Sequence, residues 1–264
     1  MSTLSFETLI YTQHTNYVEI RFNRPHRLNA VIEQFYIDLL SALSQAEADP
    51  EVRAVLLTGE GRAFCVGADM KEHGAGERTL FERRQYLQLG NDVCQAIFEL
   101  DKPVVAAVNG YALGAGAEMA SACDFVIMAD SAKIGFPEIS IGTCVGGGVT
   151  QFLPRLVGLA KARELIFLGN KIDGKEAAAI GMVTRSVPDE TLASAAKEFI
   201  LTLSTKAPIS MKLAKRMLNN SSFNNIDAQL EHELDAVFMC TTTQDWQEGV
   251  DAFAQKRTPQ FKGC

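Results

Sequence analysis

Apolar residues in this chain change their spacing several times, and each change predicts an element. Residues 6–12 and 17–22 are dense in β-branched and aromatic side chains and predict two short strands, parted by the polar Gln13, His14, Thr15 and Asn16. Asn23, Arg24 and Pro25 stop the second strand, because proline has no N–H to donate. From Val31 the spacing turns helical, with Ile32, Phe35, Tyr36, Leu39, Leu40 and Leu43 on one face until Asp49-Pro50. Residues 52–58 (VRAVLLT) then predict a short buried strand. A glycine-rich loop from Gly59 to about Gly76 leads to a helix reaching about Glu99, with Tyr86, Gly90, Val93 and Ile97 in line. A strand over 104–108, a helix over about 115–122 and a strand over 125–128 follow. A hairpin at Asp130-Ser131 is expected to return the chain through 133–136.

Strands alternating with helices predict an α/β fold, with parallel sheets joined by helical crossovers. Beyond Gly146 the pattern is helical throughout, over about 147–156, 160–168, 174–180, 190–204, 208–219, 227–239 and 243–255, with no further sheet expected. This divides the chain into an α/β core over 1–197 and a helical region over 198–264. Tail helices with apolar stripes often pack on another subunit, and their own core is the alternative partner.

Composition narrows the class. Of 264 residues, 47% are hydrophobic and 22% charged, which excludes a disordered or fibrous chain. A net charge of −7 gives no positive field for nucleic acid, and none is expected as a partner. Cys65, Cys94, Cys123, Cys144, Cys240 and Cys264 form no CxxC pair, and only four histidines accompany them, so no metal site is expected. Reduced thiols and a start without a signal-peptide pattern point to the cytoplasm. The longest charge-free apolar stretch, 103–117, is too short to span a bilayer, so no membrane association is expected.

Two loops carry candidate chemistry. Gly61 to Asp69 (GRAFCVGAD) follows a buried strand, and small residues at 66–68 allow a ligand close to the main chain. Taken alone, the segment reads as a tight turn braced or capped by Asp69. Asn109 to Glu118 (NGYALGAGAE) follows another buried strand and opens a helix, whose first N–H groups have no internal partner. Gly114 and Gly116 clear the space around the N–H of Ala115. With no GxGxxG and no GK[ST], the geometry suits an oxyanion rather than a phosphate. One N–H from each loop would make an oxyanion hole.

Glu118 lies one helical turn after Ala115, among Ala, Gly, Met and Ser. A first-turn glutamate suits the helix dipole, but a carboxylate in so apolar a helix is costly without a task. Glu138 follows Pro137, and the expected doubling back of the chain would bring it towards Glu118. Alone it reads as an ordinary loop acid; paired, the two suit proton transfer. The glycine loop over 142–148 could again bring backbone close to a ligand.

These segments resemble the crotonase, or enoyl-CoA hydratase/isomerase, superfamily over essentially the whole length. The motifs are NRPHRLNA, FCVGADMKE, KPVVAAVNGYALGAGAEMASACD, IGFPEISIG with its glycine loop, and KRTPQF. The resemblance implies a spiral of repeated ββα units with a C-terminal helical trimerisation region, assembled as a trimer or a dimer of trimers (a hexamer). It implies an acyl-CoA thioester as substrate, fatty-acid metabolism as the setting, and no separate cofactor, since coenzyme A arrives with the substrate. Val66 and Ala115 would supply the oxyanion-hole N–H groups, although the family often has glycine where Ala115 stands. Glu118 would hold and activate water, and Glu138 would share it and deliver a proton to C2. Gly146 would lie beside the water, preceded by Val145 where the family usually has proline. Arg27 and Leu28 would touch coenzyme A, with Gly67, Ala68, Asp69 and Gly114 lining the substrate site; Arg27 reads equally as a surface charge.

The implied activity is hydration of the 2,3 double bond of an enoyl-CoA. Thioester hydrolysis and double-bond isomerisation keep the same fold. A non-catalytic acyl-CoA- or RNA-binding protein is the reading from another class. The remaining candidates read as structural: Cys65 as a small apolar filler, Lys256 and Lys262 as a solvated tail, and Lys206, Lys212, Lys215 and Arg216 as a solvated basic helix face.

Overall fold

The computed structural model describes residues 2–73 and 78–264. Strands β1 (Ser2–Ser5), β2 (Leu9–Gln13) and β3 (Val18–Phe22) pair antiparallel in chain order. Helix α1 (Glu33–Ala48) then crosses to β4 (Val55–Gly59), which joins β3 in parallel. From here one move repeats. A long strand is followed by a three-residue strand in a second sheet, and a helix carries the chain back. The first round is β4, β5 (Ala63–Cys65), α2 (Met70–His73) and α3 (Leu80–Glu99). The second is β6 (Val104–Val108), β7 (Tyr111–Leu113) and α4 (Ala115–Ala122). The third is β8 (Phe125–Ala129), β9 (Lys133–Gly135), a 3-10 turn (Pro137–Ile141) and α5 (Val149–Leu168). The result is the expected spiral of ββα units.

Two strands follow α5 and close one edge of each sheet. Strand β10 (Lys171–Asp173) pairs with β9, and after α6 (Gly174–Ala179), β11 (Arg185–Val187) pairs with β8. The large sheet has the order β1-β2-β3-β4-β6-β8-β11 and the small one β10-β9-β7-β5. All five residues of β6 (VVAAV) are buried, as a central parallel strand covered on both faces requires.

Several expectations are corrected. No hairpin forms at Asp130-Ser131, because β8 and β9 belong to different sheets. Sheet structure does continue past Gly146, in β10 and β11. The two helices expected over 147–156 and 160–168 do form, as the two halves of α5, which meet at Gly158, where φ is 76° and ψ 157° and the backbone is not helical. The loop expected to end at Gly76 contains β5 and α2, and its end lies outside the described residues. The 197/198 division falls inside α7 (Leu192–Ser204), whose Ala196 and Ile200 are buried in the main core.

After α7 come α8 (Pro208–Asn220), α9 (Ile226–Thr241) and α10 (Gln244–Gln255). The basic face of α8 is not solvated as expected. Lys215 is buried, with Nζ 2.7 Å from Asp124 Oδ2 and 3.3 Å from the carbonyls of Ile97 and Lys102. Arg216 and Lys212 both pair with Asp101. The last residues fold back onto α10, where Asp245 accepts the N–H groups of Lys262 and Gly263. No helix among the described residues is long and apolar enough to cross a membrane.

Removing one partner of a buried ion pair leaves an uncompensated charge. Lys215→Met is expected to destabilise the chain by about 3 kcal/mol, and Lys215→Met with Asp124→Asn by distinctly less. Denaturant melts of both variants measure this, and an unchanged single variant would show that the pair does not fasten α8.

Candidate active site

Strands β5, β7 and β9 lie side by side and parallel in the small sheet, so their C-terminal ends open on one edge. In α/β folds that edge is where ligands bind. Each strand delivers one loop there: 66–69 after β5, Gly114 and the start of α4 after β7, and the turn bearing Glu138 after β9. This adjacency, rather than a hairpin, brings Glu118 and Glu138 together.

The first two loops touch backbone to backbone. A Cβ built on Gly67 would lie 2.9 Å from the Leu113 carbonyl oxygen and 3.5 Å from the Ala115 nitrogen. Helix α4 starts so close to β5 that a Cβ on Gly116 would stand 2.1 Å from the Cys65 carbonyl oxygen, and only glycine fits. Among the described residues, neither the Val66 nor the Ala115 N–H has a protein acceptor. Two donors on touching loops, one at a helix N-terminus, can hold a single negative oxygen.

Glu118 is half-buried in the first turn of α4, and its Oε1 accepts the Gly146 N–H at 2.6 Å. Burial pushes its pKa up to about 7; the Gly146 N–H opposes the rise and the Glu138 charge adds to it. Glu138 is buried, and its Oε1 lies 2.9 Å from where a Cβ of Gly114 would be. Its Oε2 is buried without a hydrogen-bond partner, and burial raises its pKa too. Two carboxylates that resist ionisation, beside a backbone donor pair, can accept and return a proton.

The remaining predicted residues divide. Asp69 is a buried brace: Arg27 binds both of its oxygens, at 2.6 and 3.0 Å, and Arg24 stands 3.5 Å away. The hydrogen bonds from Arg27 hold its carboxyl down at about 2. Ala68 forms a parallel bridge to Val31, and the Val31 N–H donates to the Gly67 carbonyl. The segment bearing Arg27 and Leu28 is thus clamped along the first loop, with Leu28 in a left-handed conformation at φ 52°. Cys65 is fully buried and its thiol is pushed up to about 12, so it fills space rather than attacking.

Two positioning residues, Asn29 and Asn91, carry no signal in the sequence. Asn29 is buried and donates to the Glu60 and Ala63 carbonyls, tying the Arg27 segment to β5. Asn91 on α3 accepts the Gly147 N–H at 3.0 Å and so fixes the glycine loop beside Glu118. Gly147 admits no side chain, since a Cβ there would stand 2.7 Å from Cys94 Sγ and 2.9 Å from Glu118 Cβ. Tyr36 lies beneath, its hydroxyl against Gly90. Asparagine on an otherwise exposed helix face carries no signal in a single sequence.

Comparison with known proteins agrees with this geometry. The model of the enoyl-CoA hydratase/isomerase family matches residues 12–264. Crotonyl-CoA hydratase of Syntrophomonas wolfei is 35% identical over 98% of this chain and 99% of its own. 1,2-Epoxyphenylacetyl-CoA isomerase of Escherichia coli is 37% identical over 92% of this chain and 94% of its own. The crystal structure of an enoyl-CoA hydratase from Bacillus anthracis superposes with a TM-score of 0.94, at 35% identity, over 98% of this chain and 100% of that one. With backbone donors on two touching loops and two carboxylates, one buried and one half-buried, at the mouth of a ββα spiral, the chain belongs to the enoyl-CoA hydratase/isomerase family of the crotonase superfamily.

Proposed function

We propose that this protein is an enoyl-CoA hydratase, a hydro-lyase that adds water across the 2,3 double bond of an acyl-CoA thioester. The observation that carries the reading is the pair Glu118 and Glu138, both with raised pKa, beside the free N–H groups of Val66 and Ala115. Those N–H groups hold the thioester oxygen and stabilise the enolate that forms as C3 is attacked. Glu118, steadied by the Gly146 N–H, holds the water and takes a proton from it as the oxygen bonds to C3. Glu138 shares the water and delivers a proton to C2, so that one H and one OH are added. Gly67, Ala68 and Gly114 line the thioester path, and Arg27 and Leu28 flank the coenzyme A. Coenzyme A is consumed and released as part of substrate and product, and the chemistry calls for no further cofactor.

The tail helices and the turn between α8 and α9 leave Phe223, Ile226, Leu230, Leu234, Val237, Phe238 and Phe253 exposed, which supports assembly as a trimer or a dimer of trimers. Six free thiols support a reducing, cytoplasmic setting, and hydration of enoyl-CoA supports a place in fatty-acid metabolism.

Glu118→Gln and Glu138→Gln are each expected to slow hydration of crotonyl-CoA by about a hundredfold or more, with thioester binding retained. Loss of the conjugated double-bond absorbance gives the rate, and near-normal turnover in either variant removes that residue from the mechanism. Ala115→Pro deletes one backbone donor at a helix position that tolerates proline, and is expected to cost about 3–4 kcal/mol in the barrier. A folded Ala115→Pro protein with parental kcat/KM would show that this N–H does not hold the oxyanion.

The raised pKa of Glu118 has a thermodynamic signature. Its value is about 7 in the fold against an ordinary 4.5, so the folded chain holds more protons between those limits. The contribution of Glu118 to stability is therefore complete below the lower value and declines as pH rises through the upper one. Glu118→Gln, neutral at every pH, is expected to gain Tm relative to the parent as pH goes from about 5 to about 8. A Tm difference that stays constant across this range would contradict the shift.

A further inference from the structure

Glycine recurs along the catalytic loops because backbone and side chains approach there. A Cβ on Gly114 would stand 2.9 Å from Glu138 Oε1, and one on Gly116 2.1 Å from the Cys65 carbonyl oxygen. Ala115 lies between these two glycines and carries the methyl group they lack. It opens α4, packs partly on the core and is only half-buried. Glu118 follows three residues later in the same turn, its N–H donating to the Gly114 carbonyl at 2.9 Å. Residues three apart on a helix share a face, and each side chain leans back over the preceding turn. The Ala115 methyl therefore stands on the Glu118 face, between the Ala115 N–H and that carboxylate.

This methyl group is held in place from several sides. Because Gly116 meets the Cys65 carbonyl so closely, α4 cannot slide towards β5. The first loop lies against the helix start, since a Cβ on Gly67 would stand 3.5 Å from both the Ala115 nitrogen and the Gly114 Cα. The glycine loop closes over Glu118, where a Cβ on Gly147 would stand 2.9 Å from Glu118 Cβ. A close-packed wall of this kind yields little to one added carbon.

We propose that the Ala115 methyl determines which group is allowed at C2 of the acyl chain, so that the substrate is an enoyl-CoA carrying hydrogen, and not a methyl branch, at C2. This rests on the hydratase reading. The thioester oxygen is held at the Ala115 N–H, C3 meets the water on Glu118, and C2 joins the two and takes its proton from Glu138. C2 thus passes the Gly114–Ala115 segment on the face that bears the Ala115 methyl. Two carbon atoms need about 3.5–4 Å between their centres, and a backbone that cannot shift leaves a branch at C2 without that space. One methyl group in an apolar pocket discriminates between substrates by about ten- to two-hundredfold.

The test compares crotonyl-CoA with 2-methylcrotonyl-CoA, which differ only by the methyl group at C2. The ratio of their kcat/KM values, crotonyl over 2-methylcrotonyl, is expected to fall by about tenfold or more in Ala115→Gly. In Ala115→Ser, which keeps a Cβ, the ratio is expected to stay at or above the parental value. The ratio cancels any loss that both substrates share, and the intrinsic reactivity of each substrate is the same for parent and variant. Dissociation constants of butyryl-CoA and 2-methylbutyryl-CoA, saturated thioesters that are not hydrated, give the same comparison without turnover and decide where Ala115→Gly is too slow to assay. A thermal melt accompanies each variant. An unchanged ratio in Ala115→Gly overturns this proposal alone, as does a parent that hydrates both substrates equally well. Failure of the parent to hydrate crotonyl-CoA overturns the hydratase reading and this inference with it.

Discussion

The parallel hydrogen bonding of β5, β7 and β9 is the constraint on which the site depends. Each strand has only three residues, yet their order in the small sheet sets three loop starts next to one another. The central strands β4, β6 and β8 of the large sheet, almost wholly buried, supply the stability that such short strands lack. Close approach then does the rest. Helix α4 begins against the carbonyl of Cys65, at a distance only Gly116 permits. A loop anchored by the Asp69–Arg27 pair on one side and by α4 on the other has little room to move.

Charge is distributed to opposite ends of the same site. Asp69 is held ionised by two arginines and fastens the first loop. Among the described residues Glu118 and Glu138 have no cation beside them, and burial pushes them towards the neutral form. Similar acids thus stand as a fastener and, in the proposed mechanism, as proton carriers, and only their surroundings separate them. The Gly146 N–H keeps Glu118 from rising further, so the glycine loop orients the carboxylate and also sets its proton affinity.

Much of this was legible in the sequence. The helices other than the four-residue α2 carry enough turns for their apolar spacing to register, and β3, β4, β6 and β8 carry buried residues. The three-residue strands β5, β7, β9 and β10 are too short to show a period, and in the sequence they are indistinguishable from loops or from one arm of a hairpin. The glycines near 67, 114 and 147 pointed to close backbone approach without saying what approaches. Lys215 looked like one more exposed cation on a basic face, because its partner Asp124 is distant in sequence and meets it only once α8 docks. Asn29 and Asn91 act through single hydrogen bonds to main chain, which no residue pattern announces.

The two donors beside the carboxylates belong to the main chain, and this shapes how such a protein can change over time. Replacement of the side chain at 66 or 115 alters the walls of the site but leaves the peptide N–H where β5 and α4 put it. If these N–H groups hold the thioester oxygen as proposed, that device is shielded from most mutation, while the acids around it are each one codon from loss. A lineage built on this frame can exchange one outcome for another by editing carboxylates, and never has to reinvent activation. Relatives that add water and relatives that rearrange their substrates, both more than a third identical to this chain, are what such a division between fixed backbone and replaceable side chain allows.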